Sequence, residues 1–283
     1  MVDITGYDPH MDEDILELYP NSGHTHALRG LSLQQLPAKT DQPFIYSNYI
    51  VSLDGRIALP ATDRRSNQVP PAIANSRDWR LFQELAAQAD LLISSARYFR
   101  QSAEKEAQAE LPVGLSPEFD DLREWRIAQG LSPQPDIAVF SASLDIPVKA
   151  LQSYAERKLY IITGGSAEKS RIEEISGETN AQVIQCGDAR HVDAAQLKSM
   201  LGMLGYRHIY AIAGPSVLHA LVRGNALDRL YLTTAHCLLG GQEFDTVSWG
   251  PEFSPACKLP LRALYLDRQM PEGAGQTLGV YGC

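Results

Sequence analysis

At 283 residues, a guide of about 150 residues per domain allows one large domain or two small ones, and either can bury a core without disulfides or metal. Hydrophobic residues make up 44% of the chain and charged residues 21%, globular proportions that exclude global disorder. Lys and Arg number 25 against 34 Asp and Glu, a net charge of −9. This acidic balance argues against nucleic acid as a partner but leaves room for a local phosphate pocket.

Cys186, Cys237, Cys257 and Cys283 lie too far apart for a C-x-x-C pair, so neither a zinc knuckle nor a redox dithiol is expected. They read as thiols of a reducing compartment. Met1 to Pro20 is acidic and has no apolar core, unlike a signal peptide. No apolar run approaches the ~18 residues of a membrane helix. The expectation is a soluble cytoplasmic protein with no membrane partner.

Residues 1–42 are broken by Pro9, Pro20, Gly23, Gly30 and Pro37. They read as an N-terminal extension with helical turns around Asp12–Leu18 and Ser32–Leu36. His24 and His26 alternate without a cluster of other metal-ligand residues, so a surface loop is the reading. Residues 43–283 read as a single domain. Phe44–Leu53 is β-branched and aromatic, a buried strand ending at the Asp54-Gly55 turn. Asn75 or Ser76 can cap a helix from Asp78 to Ala89, with Trp79, Phe82, Leu85, Ala86 and Ala89 at helical spacing. Asp90–Ser94 is a second strand, followed by the helix-prone Arg97–Ala109 and a short helix around Asp120–Ala128.

Further strands are expected at Asp136–Ser141, Leu159–Thr163, Ala181–Cys186, His208–Ala213, Arg229–Ala235, Leu261–Asp267 and Thr277–Tyr281. Helices are expected from Ala167, over Asp193–Leu204, and over Ser216–Val222 with Gly224 as C-cap. The alternation predicts an α/β fold with a mixed, mostly parallel sheet and flanking helices. The last two strands have no helix between them and should form an antiparallel pair.

Three features fall at strand ends, where an open α/β sheet presents its binding crevice. Thr163-Gly164-Gly165 would let a phosphate or ribose approach the backbone. Gly214-Pro215-Ser216 opens a helix, with Pro suited to its first turn and amides available to a pyrophosphate. Ser52-Leu53-Asp54-Gly55-Arg56 offers a carboxylate that can orient a polar ligand or move a proton. Each has a plainer alternative: a strand-ending turn, an ordinary capped helix, and an Asp-Gly turn. There is no G-x-G-x-x-G fingerprint, P-loop, H-E-x-x-H pair or zinc-deaminase motif.

Tyr49–Ala58 (YIVSLDGRIA) resembles the opening strand of the riboflavin-biosynthesis pyrimidine reductase domain, the C-terminal half of the bifunctional deaminase-reductase. Gly214–Leu230 (GPSVLHALVRGNALDRL) resembles its second signature, closed by Leu238-Leu239-Gly240-Gly241. Asp90–Ser95 stands at its first nucleotide loop, and the resemblance runs from about 44 to 283. It implies a dihydrofolate-reductase-like fold, NADPH as hydride donor, a ribosylaminopyrimidine phosphate as small-molecule substrate, and a homodimer. The C-terminal strand pair, if it left an apolar edge, would also favour a homodimer.

By the same resemblance Asn48, Ser52, Asp54 and Gly55 are substrate-binding, with Asp54 catalytic. Ser52, Ser94, Ser95, Thr163, Gly164, Gly165, Gly214, Pro215, Ser216 and Val217 are cofactor-binding, and no metal is implied. Arg97 and Ser143 are candidates for the 2′-phosphate. The family's substrate-phosphate Arg falls on Ala86, its loop Thr on Tyr98, and its Glu before Gly-Pro on Ile212. These departures keep two other readings open. One is a dihydropteridine- or dihydrofolate-type reductase; the other is an inactive nucleotide-binding sensor or partner protein.

Overall fold

All nine strands expected between Phe44 and Tyr281 are present in the computed structural model, which describes residues 11–38, 41–61, 66–104, 111–187, 190–270 and 273–282. In chain order the strands are β1 (Ile15–Tyr19), β2 (Thr25–His26), β3 (Phe44–Ser52), β4 (Leu59–Pro60), β5 (Asn67–Gln68), β6 (Leu91–Ser95), β7 (Asp136–Phe140), β8 (Leu159–Thr163), β9 (Gln182–Gln185), β10 (His208–Ala211), β11 (Arg229–Ala235), β12 (Leu261–Asp267) and β13 (Gln276–Gly282). The helices are α1 (Ser76–Gln88), α2 (Ala96–Ala103), α3 (Asp120–Ala128), α4 (Val148–Gln152), α5 (Lys169–Glu178), α6 (Ala194–Met203) and α7 (Pro215–Arg223). The expected mixed α/β architecture, with its antiparallel C-terminal pair, is what forms. Among the described residues no helix is long and apolar enough to cross a membrane. Cys283 and residues 105–109 of the expected second helix lie outside the described residues.

The chain forms two compact units. The first draws on the chain up to Pro37, Tyr46–Leu85, and the chain from Asp228 on. Its strands run in the order β2-β1-β12-β13-β11-β3. Only β11 and β3 pair in parallel, in register from Arg229↔Tyr46 to Ala235↔Ser52. From Ile15 on, the Asp12–Leu18 segment is strand β1 and not helical turns, and β1 pairs antiparallel with β12. Its sequence ILELY alternates in burial, with Ile15 and Glu17 inside. That alternation has a use only once β12 supplies a partner, which is why local propensity misreads it. Because β1 lies against β12, the edge that argued for a homodimer is covered within the chain.

Helix α1 starts as expected: the Asn75 carbonyl Oδ1 accepts the Asp78 N–H at 2.9 Å. Its charged residues point inward. Arg77 is fully buried and donates to Asp267 at 2.7 Å, both side chains at 0% exposure. Gln276 donates to the same Asp267 oxygen at 3.1 Å, and Asn75 donates to Gln276 at 2.9 Å. One turn on, Glu84 accepts the Gly30 and Ser32 N–H groups at 2.6 and 3.0 Å and pairs with Arg80 at 2.9 Å. A buried charge is tolerable only when paired and hydrogen-bonded in this way. Glu84 thereby fastens the 28–35 segment onto α1.

The second unit comprises Ala38–Ile45 and Ala86–Leu227. Its strands run β10-β6-β7-β8-β9, all parallel. Leu91 and Ile93 of β6, Ile162 of β8 and Ile209 of β10 pack with Leu197 and Leu201 of α6 and Leu221 of α7 in one core. Leu92 between them is equally buried, as a strand covered on both faces requires. Gly224 follows α7 as expected, for a different reason. Its φ is −82°, but a Cβ there would meet Ala194 Cβ at 2.6 Å. Close packing of α7 on α6 requires the glycine, and the left-handed residue is Asn225 at φ 50°.

Candidate functional site

In the first unit, Ser52-Leu53-Asp54-Gly55 is a reverse turn closed by Gly55 N–H to Ser52 C=O at 2.9 Å. Gly55 has φ +84°, a conformation that favours glycine. The Asp54 carboxylate is the hub. Its Oδ1 accepts Ser52 Oγ–H at 2.5 Å and Leu239 N–H at 3.2 Å. Its Oδ2 accepts Gly240 N–H at 2.8 Å and pairs with Arg56 at 3.0 Å. These bonds, the Ser52 hydroxyl first, hold its pKa at about 2.

Arg56 completes the clamp by donating to the Gly240 and Gly241 carbonyls at 2.5 and 3.2 Å and lying over the Phe244 ring at 4.4 Å. Gly240 and Gly241 have φ +69° and +89°. The two glycines let the 239–241 backbone turn its N–H groups toward the carboxylate. The Ser-Leu-Asp-Gly-Arg and Leu-Leu-Gly-Gly motifs are thus two halves of one clamp. Ser52 Oγ also accepts Arg56 N–H at 3.1 Å.

Asn48, one more predicted substrate residue, is not part of this clamp. It lines a separate cavity of about 30 Å³ beneath β3 and β11, with Asp78, Tyr231 and Thr233. Sequence reasoning missed Asp78. An acidic residue in the first turn of a helix has an ordinary explanation in capping and the helix dipole. Only the buried Thr233 opposite it, donating to Asp78 at 2.5 Å, marks the position as unusual.

In the second unit the predicted nucleotide residues line the carboxyl edge of the parallel sheet. Ser94 and Ser95 end β6, Thr163 to Gly165 end β8, and Gly214 precedes α7 just beyond β10. Two hydroxyls on this edge have no hydrogen-bond partner although buried: Thr163 Oγ1 at 0% exposure and Ser141 Oγ at 5%. Ser141 follows β7, so the two stand at the ends of neighbouring strands. An unsatisfied buried hydroxyl costs roughly 1–3 kcal/mol, and two side by side fit a polar ligand along this edge.

Gly214 is exposed and extended, φ −72° and ψ −178°, and a Cβ there would meet nothing within 4 Å. Neither backbone strain nor packing requires the glycine; it caps α7 and leaves the helix start open to close approach. Ser216 is exposed at the helix start, whereas Val217 gives its N–H to the Gly214 carbonyl at 3.0 Å and packs its side chain on the core. From β10 to β8 the edge spans three strand spacings, roughly 14 Å, too long for a single phosphate. The residues present fit an extended dinucleotide.

Residues 43–263 match the profile of the RibD C-terminal domain. The chain belongs to that family. A pyrimidine reductase-like protein from Corynebacterium diphtheriae superposes with a TM-score of 0.65 at 18% identity, covering 90% of this chain and 98% of that one. The RibD protein of Acinetobacter baumannii gives 0.57 at 13% identity, covering 86% of this chain and 58% of that one. The riboflavin biosynthesis reductase Rib7 of Saccharomyces cerevisiae gives 0.55 at 13%, covering 89% and 95%. A search of curated proteins found no match.

The resemblance puts Ala86 at the position where the family usually has its substrate-phosphate Arg. Here Ala86 is fully buried, and a guanidinium reaches its neighbourhood from α3. Arg126, also at 0% exposure, donates to the carbonyls of Ala86, Ala87 and Ala89 at 3.4, 2.8 and 2.6 Å. It satisfies the C-terminal carbonyls of α1.

Proposed function

We propose that the protein is an NADPH-dependent reductase of the riboflavin-biosynthesis type, acting on the ribose of a ribosylaminopyrimidine phosphate or a related small molecule. NADPH supplies the hydride. The observation that carries the reading is the pair of orphaned hydroxyls, Ser141 and Thr163, on the strand edge that also bears Gly214. In this reading the amide and hydroxyl of Ser216 hold the pyrophosphate. Ser94, Ser95, Ser141 and Thr163 bond along the nucleotide, and Gly164 and Gly165 leave its adenosine end room. Arg97, exposed in the first turn of α2, is the partner for the 2′-phosphate.

In the first unit Ser52, Asp54 and Gly55 form a fixed turn whose carboxylate is ionised across the physiological range. With its acceptor positions taken, Asp54 therefore acts by fixing the Ser52–Gly55 turn that meets the substrate, and it does not donate a proton. A homodimer would have to use a surface other than the β12 edge, and light scattering at micromolar concentration reads the assembly directly.

The test is Gly214→Val. Its Cβ meets no neighbour within 4 Å, so the melting temperature should fall by no more than a few degrees, the cost of a poorer N-cap. NADPH affinity should fall at least about tenfold, the loss of one or two charge-assisted bonds. Unchanged affinity in a folded variant overturns the placement. NADPH oxidation with the pyrimidine substrate, against dihydrofolate and a blank, then selects the substrate. Tight binding with no turnover on either overturns the enzyme reading in favour of a nucleotide sensor.

A further inference from the structure

The cavity in the first unit is unlike the strand edge described above: it is small, closed in by the N-terminal segment, and rich in hydrogen-bond acceptors. Asp78 of α1 and Thr233 of β11 form one wall, Asn48 of β3 another, and Gln35 closes it beside the short helix at Ser32–Gln34. Thr233 satisfies one oxygen of Asp78. The Gln35 side-chain oxygen and the Tyr231 hydroxyl are buried and short of a well-formed hydrogen bond, with Tyr265 and Arg229 beside them. Neighbouring cations are engaged: Arg77 with Asp267 and the Glu13 carbonyl, Arg80 with Glu84, and Arg229, beside Tyr231, with the Gln35 main-chain carbonyl.

The lining thus offers a carboxylate and an amide oxygen, with a phenol and a hydroxyl that can also accept. The buried carboxylate disfavours an anion there. Its volume of about 30 Å³ suits one or two water-sized groups, so a whole ring stays outside and only a substituent can enter. We propose that this cavity binds one donor nitrogen, an ammonium ion or the amino group of a small ligand, on the Asp78 carboxylate. The amino-ligand source rests on the reading of the protein as a pyrimidine reductase; the ammonium source does not.

The electrostatics of the site favour such a guest. Burial pushes the Asp78 carboxyl up to about 6, and the charge of Asp267 on β12 adds to the rise. The other groups around it are the phenols of Tyr231 and Tyr265, both raised by burial, with Arg229 opposing the rise at Tyr231. A carboxyl raised on folding withdraws stability as pH climbs from about 4 to 6, and the loss is complete above that. A donor nitrogen binding the charged form returns part of it, so binding tightens as pH rises through 6.

The experiment uses the full chain at about pH 8 and pH 5, in ammonium chloride or potassium chloride of equal ionic strength. Ammonium should raise the melting temperature at pH 8 and not at pH 5, and potassium should not. The carbon-13 resonance of the Asp78 carboxyl should titrate at lower pH when about 0.1 M ammonium is present. 5-Aminouracil against uracil tests the second source: a response to the amino compound alone assigns the site to a ligand's amino group. Asp78→Asn should abolish either response, and Tyr231→Phe should weaken it at least about threefold.

Equal effects of potassium and ammonium, with no preference for the amino compound, mean water only and overturn the proposal. So does a response that survives in a folded Asp78→Asn. Should that variant not fold, the wild-type carboxyl titration decides, and a pKa unmoved by both probes overturns it. NADPH affinity measured on the same samples keeps this outcome separate from the fate of the reductase reading.

Discussion

With Ser52, Arg56 and two backbone N–H groups around it, the Asp54 carboxylate has four partners and none of them is exchangeable for a proton at neutral pH. Its lowered pKa means that its contribution to stability is present above about pH 4 and is lost as pH falls toward 2. The pH–rate profile of the reductase should therefore show no acid limb from Asp54 between pH 5 and 8. Asp54→Asn keeps the shape, and its carbonyl oxygen can still accept from Ser52 and Leu239, but its amide nitrogen loses the Gly240 N–H bond and the Arg56 pair. Turnover should fall about 10- to 100-fold through lost positioning, with NADPH affinity intact. Steady-state rates over that pH range check both statements, and a new acid limb in the wild-type profile traced to Asp54 would sink the first.

At the scale of the element, α1 shows how a helix can be held from both ends by parts of the chain far away. Asn75 caps its start locally. Its end relies on Arg126, which reaches the Ala87 and Ala89 carbonyls from 37 to 39 residues away. Arg126→Met keeps the length and the apolar stem but strips these carbonyls of their donor. The expected loss is roughly 2–4 kcal/mol, the cost of leaving buried acceptors unpaired, read as a lower denaturant midpoint with an unchanged slope. Arg126→Lys should recover part of it, since one ammonium can reach one or two of the three carbonyls.

For the whole molecule the N-terminal segment is part of the first unit. β1 closes the β12 edge, Leu28 and Ile15 are nearly fully buried, and Glu84 depends on the Gly30 and Ser32 amides. Deleting the chain through Pro37 removes that strand and leaves a buried carboxylate short of two donors. Stability should drop by on the order of 3–5 kcal/mol, and the bared edge should promote self-association. Thermal melts and light scattering of the truncated chain measure the two effects. A truncation that melts with the parent would show that the segment only decorates the surface.

Several features were legible in the residues alone because the signals are local. A run such as LYIIT reads as a buried strand wherever it lies, and Gly-Pro-Ser after HIYA reads as the start of a helix. Nine strands and the order of the loops between them follow from such signals, and so do the motifs that place the chain in its family. What tertiary structure decided depends on partners distant in sequence. ILELY became a strand because β12 was there to pair with it. Asp54 became a buttress because Leu239 and Gly240 lie against it from 185 and 186 residues away. Arg126, Glu84 and Asp78 look like surface charges in any window of the sequence, since charged residues in amphipathic helices usually face water. Each is buried because one particular donor or acceptor meets it there, and no local pattern records a contact made across the fold.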